Sequence, residues 1–154
     1  MINCVVGFLF NEFLNRILLI SKKRPEWMVG KLNGIGGHIE SGETPLEAMH
    51  REFRQETGYP DSIAWFHFAR LYTLRGYRVD MFCSCTTFES DFIVSPQPTD
   101  ELVGWHLVST LSLISTTLPS LHYLIPMATS FLIGNDNRIC LEIHESAGDS
   151  WGES

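Results

Sequence analysis

Two glutamates four residues apart, Glu52 and Glu56, follow the glycine-rich stretch 34–37, and Gln55 lies between them. On a helix this spacing brings both carboxylates to one face. Carboxylates held side by side repel each other by roughly 4 kcal/mol at 4 Å and an effective dielectric constant of 20. A divalent cation turns that cost into binding energy, because hard cations prefer oxygen ligands. The pattern predicts a metal-dependent reaction centre.

The acids need a helix to position them, and the sequence predicts one over 45–57. Thr44 can cap this helix and Glu47 completes a T-x-x-E capping box. Gly58 followed by Pro60 supplies the end. The box and the stop together define a helix of about four turns.

The same helix has a predicted core stripe of Leu46, Met49 and Phe53. An ordinary surface helix with solvated acids is the alternative interpretation. The glycine-rich stretch before the helix favours a site, because backbone without Cβ atoms can approach a ligand closely. It is not a P-loop, since no G-x-x-x-x-G-K-[ST] pattern is present.

The rest of the chain alternates short apolar or aromatic runs with turns, which is typical of an α/β domain. Residues 1–145 are expected to form a single domain and residues 146–154 a flexible tail. The expected elements are antiparallel hairpins over 2–21 and 63–88, a loop from 22 through the glycines with a short strand at 31–33, a loop over 90–101, a strand at 104–108, a second helix over about 118–132 and a closing strand near 138–145.

Composition excludes some classes of function. With 11 Lys+Arg against 18 Asp+Glu, the 154-residue chain has a formal charge of −7, which argues against an extended nucleic-acid surface. Its four cysteines lack zinc-type spacing, so buried free thiols are expected. No apolar run is long enough to span a membrane, and a cytoplasmic location is expected.

The segment from Gly37 to Tyr59 resembles the Nudix box, G-x5-E-x7-R-E-U-x-E-E-x-G-U, in which U is a bulky apolar residue. Gln55 stands where the family has a glutamate. The positions that match are Gly37, Glu43, Arg51, Glu52, Phe53, Glu56, Gly58 and Tyr59. The resemblance implies an α/β/α sandwich with a mixed central sheet.

The resemblance also implies an activity, the hydrolysis of a nucleoside diphosphate linked to another moiety X, assisted by Mg²⁺ or Mn²⁺. Glu52 then looks like a metal ligand or the base that orients water, and Glu56 like a metal ligand. Gly36 resembles the residue that offers a backbone carbonyl to the metal. Gln55 keeps an oxygen ligand but removes a charge, so weaker or fewer bound ions are expected.

Two further pairs of residues take their roles from the resemblance. Glu43 and Arg51 resemble an internal ion pair that ties the loop to the helix. Downstream, the family often has an acid a few residues ahead of a tryptophan. In the sequence D-E-L-V-G-W this acid is Glu101, with Asp100 as the competitor.

The region of Asn33 resembles that of Nudix enzymes that remove oxidised purine nucleoside triphosphates. Its amide can pair with a purine edge, and a simple turn residue is the open alternative. Lys22 and Lys23 belong to the basic cluster at 22–31 and could meet phosphates.

The expected substrate is therefore a small nucleotide, a (d)NTP or modified purine nucleotide. An ADP-ribose or dinucleoside polyphosphate hydrolase and a catalytically weak nucleotide sensor are the alternatives. A homodimer that shares the aromatic strands is compatible with the sequence.

Overall fold

The computed structural model describes residues 1–87, 101–114, 117–134 and 138–147. Two expectations fall mostly outside these residues, namely the loop over 90–101 and the tail over 146–154. The other predicted elements can be compared with the structure.

Within the described residues, eight strands form one mixed sheet. They are β1 (Ile2–Asn11), β2 (Arg16–Ser21), β3 (Leu32–Asn33), β4 (Ile35–His38), β5 (Phe66–Tyr72), β6 (Tyr77–Thr86), β7 (Leu102–Leu107) and β8 (Leu141–His144). The strand order is β3-β2-β1-β6-β5-β8, while β4 also pairs with β1 and β7 with β2. β1 is parallel to β6 and β5 is parallel to β8. Both expected hairpins are present, as β1 with β2 and β5 with β6.

The glycine-rich stretch was expected in a loop, and the structure corrects this. Most of it is the strand β4, antiparallel to β1. A Cβ on Gly36 would collide with the carbonyl oxygen of Val5. Glycine is therefore needed for the two backbones to approach, and this tertiary contact is invisible to local turn preferences.

The first helix, α1 (Pro45–Thr57), has the predicted bounds. The Thr44 hydroxyl accepts a hydrogen bond from the Glu47 amide at 3.2 Å, and the Glu47 carboxylate accepts one from the Thr44 amide at 2.8 Å. Gly58 ends the helix with a positive φ of 70°, which glycine adopts without strain. The predicted capping box is thus confirmed.

The buried stripe of α1 differs from the predicted one at its start. Ala48, Met49, Phe53 and Thr57 are buried, whereas Leu46 is 43% exposed. Leu46 falls on the correct side by its angle, but it lies in the first turn, before the buried part of the helix begins. A helical wheel reports angle only and misses this difference along the axis.

The second helix, α2 (Leu121–Ile133), begins three residues later than predicted. The residues just before the helix contact β3 instead, since the Leu118 amide donates a hydrogen bond to the Leu32 carbonyl at 3.3 Å. Thr117 forms a β-bridge with the same residue. The pairing with the β3 segment therefore delays the start of the helix.

The two helices cover opposite faces of the sheet. Residues of α1 pack with Val5, Leu9 and Leu18, whereas residues of α2 pack with Phe8 and Phe10 on the other face. Because side chains alternate along a strand, β1 and β2 supply both cores. The predicted α/β/α sandwich is confirmed.

Two smaller expectations can also be compared with the fold. All four cysteines are free, but of these only Cys83 is fully buried, while Cys85 and Cys140 are exposed. The expectation of buried thiols was therefore wrong for most of them. None of the helices in the described ranges has the length and apolar character that crossing a membrane requires.

Candidate active site

A cavity of about 1370 Å³ runs from the acids of α1 to the turn between β5 and β6. Its floor is apolar and comes from three adjacent strands, with Val6, Leu71, Val79 and Met81 among the lining residues. The acidic end is lined by Glu52, Glu56 and Glu101, and the end near the turn by Trp27, Arg75 and Tyr77.

Glu56 is the most perturbed acid of this cavity. Burial raises the pKa of its carboxyl to about 8, and the negative charges of Glu52 and Glu101 act in the same direction. The positive charge of Lys22 opposes them, as does the Gly36 amide, which donates to Glu56 Oε2 at 3.2 Å. Glu56 is thus a partly buried carboxyl group in a locally negative environment, which favours uptake of a proton or a cation.

Glu52 lies one helical turn before Glu56. Its Oε1 accepts a hydrogen bond from Arg51 Nη1 at 2.8 Å. A Cβ on Gly37 would collide with the Glu52 carboxylate. The glycine therefore lets β4 pass directly beside this acid.

Arg51 joins three segments around the acids. It donates through Nε to Glu43 Oε1 at 2.5 Å and through Nη2 to Glu43 Oε2 at 3.0 Å. The same Nη2 donates to the His38 carbonyl at 2.9 Å. The hydrogen bonds from Arg51 hold the pKa of Glu43 below its usual range. The structure thus brings the expected pair together in a bidentate contact that also reaches the end of β4.

Glu101 approaches the cavity from the start of β7 and is buried. Lys22 Nζ lies 3.3 Å from its Oε2, and the Lys23 backbone amide donates to its Oε1 at 3.3 Å. Lys22 lines the cavity, but the Lys23 side chain is exposed and lies outside the lining. Asp100, the competing acid, lies outside the described residues.

Gln55 and Asn33 occupy different positions relative to solvent. Gln55 is exposed at the cavity edge, where its Oε1 accepts a hydrogen bond from Arg51 Nη1 at 3.3 Å. Asn33 is buried, and its Oδ1 accepts the Gly34 amide at 2.8 Å. The Asn33 oxygen therefore has a local partner, although the residue lines the cavity.

Sequence reasoning missed Arg75, which lies in the β5–β6 turn, and the contact between Lys22 and Glu101. The only signal for Arg75 was a positive charge in a predicted turn. Lys22 and Glu101 are 79 positions apart in the chain, so no local sequence pattern could predict their contact.

Comparison with known proteins decides the family. A model of the NUDIX domain matches residues 3–125. The chain belongs to the Nudix family. The prediction of a Nudix hydrolase, an enzyme that acts on pyrophosphate bonds, is thereby confirmed. A search of curated protein sequences found no match.

Solved structures similar to this Nudix chain agree in fold. A hydrolase of the NUDIX family from Clostridium perfringens superposes with a TM-score of 0.68 at 18% identity, over 84% of this chain and 97% of that one. The NUDIX domain of Shewanella oneidensis NrtR, solved with ADP ribose, gives 0.67 at 17% identity over 86% and 88%. A MutT from work on Aliivibrio salmonicida and Vibrio cholerae gives 0.58 at 18% identity over 84% and 93%.

The donor chemistry of the Nudix site fits a hard divalent cation. Glu56 is partly buried and lies in the field of two other carboxylates, with Lys22 opposing them and Arg51 paired with Glu52. Oxygen donors of this kind suit Mg²⁺ or Mn²⁺ rather than softer metals. Among the described residues, no three acidic, histidine or cysteine side chains converge as a complete metal cluster. Backbone carbonyl, water or substrate oxygens would therefore have to complete the coordination.

Proposed function

We propose that this Nudix enzyme hydrolyses the pyrophosphate linkage of a purine nucleoside triphosphate, or a modified form of one, with Mg²⁺ or Mn²⁺. The observation that carries the proposal is the acidic end of the cavity, where the partly buried Glu56 lies in the field of Glu52 and Glu101. Such an excess of negative charge opposes an anionic substrate unless a cation is also bound.

The residues that would hold the cation are Glu52 and Glu56, together with the Gly36 carbonyl and the amide oxygen of Gln55. When bound, the ion neutralises the pyrophosphate oxygens and lowers the pKa of a coordinated water. Arg51 would act as a positioning residue, because its contacts with Glu52, Glu43 and β4 orient the acids.

Glu101 is the candidate general base for the attacking water, with Glu52 as the competitor. The contacts with Lys22 and with the Lys23 amide fix the Glu101 carboxylate near the acids of α1. Lys22 can also meet the substrate phosphates, whereas Lys23 is exposed and would meet only the part of the substrate that leaves the cavity.

Asn33 and the apolar floor favour a nucleoside in the middle of the cavity. The Asn33 side chain lines this space, and its amide can form paired contacts with a purine edge. The Oδ1 contact with Gly34 fixes the side chain before a base arrives. An amide oxygen has two lone pairs, so Oδ1 can accept a second hydrogen bond from the base. The floor residues would cover one face of the base.

A hydrolysis screen that separates and identifies the products tests the proposal, because ADP-ribose and dinucleoside polyphosphates yield phosphate esters rather than free phosphate. It would use (d)NTPs, oxidised purine nucleotides, ADP-ribose, dinucleoside polyphosphates and capped RNA, each with Mg²⁺ and with Mn²⁺. We expect turnover of a purine triphosphate that Glu56→Gln abolishes. Glu12→Gln is the matched control, since Glu12 is exposed and lies outside the cavity lining.

The screen also separates the proposal from its alternatives. Turnover of only ADP-ribose or only a dinucleoside polyphosphate would show that the proposed substrate class is wrong, whereas the proposed reaction, hydrolysis of a pyrophosphate linkage, would stand. Tight nucleotide binding without turnover of any compound would identify a sensor and contradict the hydrolytic role.

A further inference from the structure

Arg75 and Trp27 form a cationic platform at the end of the cavity remote from the acids. The Arg75 guanidinium carbon lies 4.4 Å from the centroid of the Trp27 ring. Tyr77 supports the same ring edge-to-face, with centroids 6.4 Å apart. An arginine stacked on an aromatic ring is oriented by that contact while the N–H groups around its rim remain available.

The Arg75 guanidinium has no acceptor within hydrogen-bonding distance in the part of the chain that the structure describes. Glu145 is the acid that lines this end of the cavity, and its Oε2 accepts the Leu74 amide at 3.1 Å. The nearest carboxylate is thus used by the backbone of the turn. Arg24 and Lys31 line the same cavity and add positive charge in a chain with a net charge of −7.

The platform is separated from the acids both across the sheet and along its strands. Glu56 contacts β4 through Gly36, and Arg75 lies in the turn three residues after the end of β5. From β4 the strands run through β1 and β6 to β5. Three strand spacings amount to about 14 Å across the sheet. The two ends are also offset by four residues along β1, since Gly36 pairs with Val6 and the Gly76 carbonyl accepts the Ile2 amide. The long side chains of Glu56 and Arg75 cover part of this separation. The apolar floor lies between these two ends, so a nucleoside can lie across it with its pyrophosphate at the acids.

We propose that Arg75, stacked on Trp27, is a binding subsite for a second phosphate of the substrate, carried by the ribose on the side away from the cleaved pyrophosphate. The phosphate is either a monoester on a mononucleotide or the diester to the next residue of an oligonucleotide. Both present the oxygens that a guanidinium binds. The proposal rests on the proposed function, since the acids define which end takes the pyrophosphate.

The test compares ATP and GTP with their 3′-monophosphate derivatives and with the dinucleotides pppApA and pppGpG. Affinities are measured by titration calorimetry with Ca²⁺ in place of Mg²⁺, and hydrolysis of the same compounds is followed in parallel samples that contain Mg²⁺. We expect the 3′-phosphate to tighten binding of the wild-type protein about tenfold, the value of a charge-assisted hydrogen bond. This ratio should fall below about threefold in Arg75→Ala and fall partly in Trp27→Leu.

Arg16→Ala is the matched control, because Arg16 is exposed and lies outside the cavity lining; this variant should keep the wild-type ratio. A gain for the dinucleotides equal to that of the 3′-monophosphates supports the diester, and a gain for the monophosphates alone supports the monoester. A ratio near one in the wild type, or a ratio that Arg75→Ala leaves intact, overturns the subsite. Because the ratio measures binding, it can hold when hydrolysis fails, which would refute the proposed reaction alone.

Discussion

Glu56, which is partly buried, and Asp80, which is fully buried, are both carboxyl groups near the same sheet, and they differ in the charges around them. Asp80 in β6 is fully buried, yet it contacts three basic side chains: Arg70 Nε at 2.8 Å, Arg78 Nη2 at 3.3 Å and His67 Nε2 at 3.0 Å. Glu56 itself has no basic side chain in contact among the ion pairs described for this site: Glu52 and Glu101 lie in its field, and these acids are the ones that pair with Arg51 and Lys22.

The pKa values of the two groups shift in opposite directions. Burial raises both, and at Glu56 the neighbouring acids add to that effect, to about 8. At Asp80 the hydrogen bonds with His67 and Arg70 outweigh burial and lower the pKa. Burial therefore does not distinguish a functional carboxylate from a structural one, whereas the local charge balance does. Basic side chains compensate the charge of Asp80 directly, whereas Glu56 remains in a net negative field.

The sharpest test of this difference is Glu56→Gln. We expect hydrolysis to fall on the order of 1,000-fold, because the variant removes charge at the reaction centre. The free energy of unfolding of the metal-free protein should not decrease, because the substitution also removes repulsion from Glu52 and Glu101. Formation of the nucleotide product and urea denaturation measure the two quantities, and a clear loss of stability would mean that Glu56 is structural.

Asp80→Asn should have the reverse profile. Removing the shared carboxylate leaves the charges of Arg70 and Arg78 without compensation, so the free energy of unfolding should fall by about 3 kcal/mol. Hydrolysis per folded molecule should be retained. Asp61→Asn, at an exposed position, is the matched control in urea denaturation. A loss of activity without a loss of stability would reverse the roles assigned to the two clusters.

The Asp80 contribution should also depend on pH. Its pKa in the folded protein is lowered from an ordinary value of 3.8, so the native state favours the charged form. The stabilisation is then fully present above about pH 4 and is lost as the pH falls through the lowered value. Urea denaturation from pH 7 down to pH 2 should show the gap between wild type and Asp80→Asn closing below pH 4. A stability difference that stays constant over this pH range would show that the charge of Asp80 does not cause it.

Gln55→Glu should have the smallest effect. An added carboxylate at the cavity edge increases the negative charge of the site. Its attraction for a cation is weakened by solvent and by Arg51, which already contacts this position. We expect the Mg²⁺ concentration for half activity to fall about threefold, as for a screened charge. Gln55→Ala removes the amide without adding a charge, so it shows how much of the change comes from loss of the amide. An unchanged metal requirement, or lower activity, would contradict a role for position 55 at the metal.

The sequence alone predicted the features that depend on neighbouring residues. The cap at Thr44, the stop at Gly58 and the four-residue spacing of Glu52 and Glu56 all act within about one helical turn. They defined α1 to the residue, and the fixed spacing of the box indicated the family. The hairpins followed equally from short apolar runs and the turns between them.

The tertiary structure decided the features that join distant segments. It turned the glycine-rich stretch into a strand, because Gly36 must pass the backbone of Val5. It brought Lys22 to Glu101 and Arg75 to Trp27, and it surrounded Asp80 with bases from two strands. Local propensity carries no information on such pairs, since chain separation does not fix which strands become neighbours. The charge balance that separates Glu56 from Asp80 arises from these pairings, and so it could be read only from the folded protein.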